Sequence, residues 1–131
     1  MNVWLLSSSL ALAGIAIVHS VMGEKRIFHP WTRAAPGGVR PFHQQMLRAS
    51  WHLPSLMGAG QAALLALWAT APASDLPPVR LQQLMLLPLA ASVGACGLLV
   101  LGLTRGRHHG GTALLVTGVL IALGLARAGV A

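Results

Sequence analysis

Four apolar segments, at about 3–22, 43–70, 81–104 and 112–127, restrict this chain more than any other feature. A helix rises about 1.5 Å per residue, so roughly 20 apolar residues reach across the ~30 Å hydrocarbon core of a bilayer. The segments therefore predict an all-α fold: a four-helix transmembrane bundle, one integral membrane domain over 1–131. Composition agrees. Only 8% of residues are charged, against about 25% in soluble domains. The first segment contains Ala11-Leu12-Ala13 and resembles a signal peptide. It lacks a basic leader and stays apolar to Met22, so it reads as an uncleaved first helix.

The charges give the chain a direction. A net charge of +7 would suggest nucleic acid in a soluble protein, but here the basic residues lie mostly between apolar segments. Lys25, Arg26, Arg33, Arg40, Arg48, Arg105 and Arg107, seven of the nine, fall at one end of the four spans, with Arg80 and Arg127 at the other. The positive-inside rule makes the first end cytoplasmic and puts both termini on the outer, periplasmic side. Trp31 and Trp51 fall at the inner edge and Trp4 and Trp68 at the outer, as interfacial belts do. The expected partners are membrane lipids, anionic ones first, and no nucleic acid.

Other classes are excluded. Cys96 is the only cysteine, so an intrachain disulfide, a Cys-rich zinc site and two-cysteine redox chemistry are ruled out. No acidic residue lies inside a predicted span, which argues against proton-coupled export through a buried carboxylate. The prolines and glycines between Gly23 and Phe42 predict an irregular connection there. Gly94, Ala95 and Gly97, with Gly118, Ala122 and Ala126, form small-residue faces that let helices approach closely, within the bundle or in a homo-oligomer.

The candidate site comes from the histidines. All six lie on the predicted cytoplasmic side. His29, His43, His108 and His109 read as loop residues at the headgroups. His19 and His52 lie one or two turns inside the membrane edge, at similar depth on consecutive antiparallel helices. Polar residues at that depth usually face the bundle interior. Gln45, Arg48, His52 and Ser55 share one helical face by their spacing, while His19, Ala16, Leu12 and Ser8 make a mostly small-residue face on the first helix. Glu24 is five residues beyond His19, about 140° further round, so pairing the two would require unwinding at Gly23.

Three chemistries fit this pattern. One is purely interhelical hydrogen bonding to serines, Glu24 or carbonyls. The second is a haem b held between the imidazoles of His19 and His52, or a transition metal with Glu24 or His108 as third ligand. The third is a lipid headgroup, small hydrophobic ligand or quinone that accepts a hydrogen bond from histidine. The cofactor or ligand set is His19, His52, Arg48, Glu24, Ser20 and Ser55, and the metal set is His19, His52 and His108. No catalytic residue is assigned. The leading expectation is a cofactor or small-ligand site near the cytoplasmic leaflet, with a redox or metal cofactor its sharpest form. The alternative is an accessory or assembly subunit of a larger membrane complex.

His19-Ser20-x-x-Gly23-Glu24, Trp51-His52 and the Gly106-Arg107-His108 turn also carry a resemblance. The chain resembles a group of uncharacterised bacterial four-helix membrane proteins. That resemblance implies a multi-pass protein of the bacterial inner membrane. It carries no activity with it.

Overall fold

A computed structural model describes residues 1–34 and 40–128. Every regular element among them is helical. The long helices are α1 (Val3–Gly23), α3 (Pro41–Thr70), α4 (Val79–Leu103) and α5 (His109–Ala128), and α2 (His29–Ala34) is a short continuation of α1. Four helical stretches, Val3–Thr32, Pro41–Thr70, Val79–Leu103 and His109–Arg127, are each long and apolar enough to cross a membrane.

The first connection differs from expectation. Helix continues past Gly23 through one wide π turn (Glu24–Phe28) into α2. In that turn His29 N–H bonds to the Glu24 carbonyl, five residues back. The wide turn lies directly before Pro30, which lacks an N–H and whose ring crowds the carbonyl four residues earlier. Widening the turn carries the helix across a proline that would otherwise end it. Pro36, Gly37, Gly38 and the side chain of Arg33 lie outside the described residues.

The other boundaries have local causes. Asn2 caps α1, its side chain accepting from Trp4 and Leu5 N–H. Pro41 opens α3 at a position where its missing N–H costs nothing. Pro72 and Pro78 bracket the α3–α4 connection. α4 ends in a Schellman turn: Gly106 N–H bonds to Leu101 O at 2.7 Å and Arg105 N–H to Gly102 O at 3.3 Å. Arg105, a non-glycine, takes the left-handed position there (φ 51°).

α1 packs against α3 and α5, and α5 against α4. The α1–α3 pair is antiparallel and keeps one register along its length. Asn2 N–H bonds to Ala69 O, Ser9 Oγ donates to Ala62 O, Ser20 meets His52, and Glu24 meets Arg48. Asn2 also donates to Gly124 O, which ties the start of α1 to the end of α5. Both described chain ends thus lie at one end of the bundle. The basic residues of the α1–α3 and α4–α5 ends lie at the other. The core runs through Leu5, Leu12, Leu65, Leu86, Ile121 and Leu125. Outside it, many large apolar side chains, such as Leu10, Ile17, Leu56 and Leu98, are exposed, as a lipid-facing surface requires.

The small-residue faces are used inside the chain. A Cβ on Gly97 would lie 2.6 Å from Leu115 N, and one on Gly118 2.9 Å from Ala90 O. Ala95, Ala122 and Ala126 face outward.

Candidate functional site

At the basic end, α1 and its π turn present His19, Ser20, Gly23, Glu24 and Phe28, and α3 presents Arg48, Trp51, His52 and Ser55. The predicted stripe on α3 holds for three of its four members, and Gln45 is exposed. On α1, His52 meets a serine and Glu24, the partners that the hydrogen-bonding reading names, and not His19. His52 Nδ1 lies 2.8 Å from Ser20 Oγ, and His52 Nε2 lies 2.7 Å from Glu24 Oε1. An ionised carboxylate only accepts, so Nε2 carries the proton and, in the neutral ring, Nδ1 accepts from the serine hydroxyl. Arg48 closes the chain. Its Nε donates to Glu24 Oε1 at 2.6 Å and its Nη2 to Glu24 Oε2, a fork-on-fork pair. Glu24 reaches α3 without any unwinding, since Gly23 and Glu24 are both right-handed helical.

His19 serves another purpose. Its ring stacks on the Trp51 indole, with centroids 4.5 Å apart and planes within 6°. Trp51 Nε1–H donates to the His19 carbonyl at 3.2 Å. Phe28, buried at the π turn, meets the same indole edge-on at 6.0 Å. The indole covers Gly23, where a Cβ would clash with Trp51 Nε1 and Cδ1. His19 Nε2 is buried and has no hydrogen-bond partner, and neither has Ser55 Oγ.

This geometry does not bring His19, His52 and His108 together as one ligand set. His52 has both ring nitrogens engaged by protein groups, Nδ1 by Ser20 and Nε2 by Glu24. His19 faces Trp51. Ala16 and Gly58 lie against one another, with a Cβ on Gly58 at 3.6 Å from that of Ala16. His108 is exposed in the α4–α5 turn, where its Nδ1 accepts from Gly110 N–H. Among the described residues, no three His, Cys, Asp or Glu side chains gather as a metal site.

An open groove of about 550 Å³ begins beside this cluster. It runs between α1 and α3, from Val21 and Ser20 past Ala16 and Ala13 to Ser9, with Ser55 and Ala59 on the facing wall. From Ser9 to Val21 it is about 18 Å long at 1.5 Å per residue, slightly more than one leaflet's half of the hydrocarbon core. Its lining is apolar apart from three serines, and no aromatic ring lines it. Ser9 spends its hydroxyl on Ala62 O, Ser20 is paired with His52, and Ser55 is unpaired.

The residues that sequence reasoning missed are Trp51 as the plate over α1 and Gly23 as its seat. Ser20 entered the sequence reading as a member of the ligand set, without His52 assigned as its partner. The available signal was rotational: adjacent helical residues point about 100° apart, so His19 and Ser20 cannot both face His52.

Comparison with protein-family models, with curated proteins and with solved structures finds no match. The fold and composition are those of a four-helix chain compatible with a multi-pass membrane protein.

Proposed function

We propose that this is an integral inner-membrane protein that binds an amphipathic lipid at the cytoplasmic end of its α1–α3 pair. The polar head sits at Ser20, His52, Glu24 and Arg48, and one hydrocarbon chain lies in the groove. The observation that carries this reading is a leaflet-length apolar groove that starts at a polar side-chain chain and holds a buried, unpartnered hydroxyl, Ser55. A buried hydroxyl without a partner costs about 1–3 kcal/mol, which a ligand carbonyl or hydroxyl would recover. The exposed Lys25 and Arg26 lie at the same end and suit an anionic head. The absence of an aromatic wall favours a chain lipid over a quinone. The cytoplasmic assignment rests on the seven basic residues at this end.

The test is photo-crosslinking in nanodiscs with a phospholipid that carries a diazirine on its acyl chain. Adducts are expected on peptides covering 9–21 and 55–63. Crosslinking spread evenly over the exposed faces of α4 and α5 would refute the reading.

A second reading is an accessory subunit of a larger membrane complex. It is favoured by the first three turns of α3, where Phe42, Met46 and Leu47 are exposed beyond the bundle. A partner that co-purifies with His19→Ala plus His52→Ala protein as well as with the parent would support it. A monodisperse protein without a partner would count against it.

A further inference from the structure

Ser20, His52 and Glu24 are hydrogen-bonded in series, at 2.8 Å and 2.7 Å. An activated serine needs a base within hydrogen-bond reach and a third group that orients the base. Both are present, and Arg48 holds the third group by both oxygens. Ser20 also lines the apolar groove, so its hydroxyl adjoins the space assigned to a hydrocarbon chain. It lies about one helical turn, ~6 Å, inside Glu24, Lys25 and Arg26, the first charged residues after the apolar span. That is the edge of the hydrocarbon region, the depth at which glycerolipid ester carbonyls lie.

We infer that Ser20 is the nucleophile of an acyl-transfer site whose substrate is a membrane lipid ester, with His52 as its base. The inference rests on the lipid-binding reading above and adds a reaction to it. Ser20 Oγ adds to the ester carbonyl carbon while its proton passes to His52 Nδ1. The tetrahedral adduct collapses, the acyl C–O bond breaks, and the departing alcohol oxygen takes the proton from His52. Water then repeats the sequence on the Ser20 ester, giving a fatty acid and free Ser20. Glu24 and Arg48 are positioning residues. Glu24 fixes the ring with Nε2 protonated and Nδ1 toward the serine, and Arg48 fixes Glu24.

Both helices are continuous at this level, so their backbone N–H groups are used in helical bonds. Ser55, one turn beyond His52 on the same face, is the groove serine without a partner. Its hydroxyl is assigned to the developing oxyanion. A single donor in place of a backbone pair predicts slow turnover, so covalent labelling is the sensitive readout.

The experiment treats the protein, in phospholipid nanodiscs, with a long-chain alkyl fluorophosphonate. One adduct is expected, on the peptide containing Ser20, and none in Ser20→Ala. His52→Gln should lower the labelling rate about 100-fold or more, and Ser55→Ala about 100-fold. Glu24→Gln should alter the pH profile of labelling as well as its rate, and Glu24→Asp should restore part of both. Each variant is first shown to be monodisperse with a parent-like melting curve. In a Cys96→Ala background, Ser20→Cys, which keeps the side-chain size, should move reactivity to iodoacetamide. A folded protein that gives no adduct overturns the proposal, and so does labelling at an unchanged rate in His52→Gln. Diazirine-lipid crosslinks in the groove without a fluorophosphonate adduct would sink the acyl-transfer step and leave the binding reading intact. Loss of both signals would overturn both.

Discussion

Gly23 has no side chain because Trp51 occupies the space one would need. The indole is fixed from three sides, by the His19 ring, the His19 carbonyl and Phe28, so it cannot swing away cheaply. Gly23→Ala should therefore destabilise the protein by about 1–3 kcal/mol, as overpacking does. The penalty should largely vanish in a Trp51→Ala background, and the thermal unfolding of the four proteins in the cycle measures it. Glu24 is the other residue with a precise demand on it. It receives Arg48 and His52 together, so Glu24→Gln and Arg48→Gln should be non-additive in melting temperature. Arg48→Lys should not rescue, because an ammonium cannot reproduce the two-pronged contact.

Among the helices, close approach is concentrated where glycines lie opposite backbone. On α4 and α5, Gly97 faces Leu115 and Gly111, and Gly118 faces Ala90 and Gly94. Gly14 and Gly60 have open space around the position of a Cβ. Gly97→Ala and Gly118→Ala are expected to lower the melting temperature, while Gly14→Ala and Gly60→Ala should leave it unchanged or raise it slightly. Lipid offers helices no hydrophobic drive to associate, so packing contact and interhelical hydrogen bonds carry the α4–α5 and α1–α3 pairs. The latter has several such bonds along one register, from Asn2–Ala69 to Ser20–His52.

For the whole molecule, the up-and-down order brings both described chain ends to one end of the bundle and the α1–α3 and α4–α5 connections to the other. The proposed orientation puts the connections in the cytoplasm. In a Cys96→Ala background, Ser74→Cys should react with a membrane-impermeant maleimide on intact spheroplasts. Arg107→Cys should react only after permeabilisation. The opposite pattern would invert the orientation and move the proposed lipid site to the outer leaflet.

The sequence alone determined the number of spans, their approximate limits, the basic end and the face of α3 that carries Arg48, His52 and Ser55. Hydropathy, charge and helical spacing are properties of single segments, so they survive without knowledge of any neighbour. The same reasoning put His19 against His52 and ended the first helix at about Met22. Both depended on what a second helix presents and at what rotation. Only the tertiary structure decided that Ser20, about 100° round from His19, meets His52. Only it carried the helix through a π turn before Pro30, and only it showed that Glu24, one helical turn beyond Ser20, meets His52 and Arg48. The pair of histidines that the sequence suggests as ligands is divided by packing: one is a plate against Trp51, the other the middle of a serine–histidine–carboxylate chain.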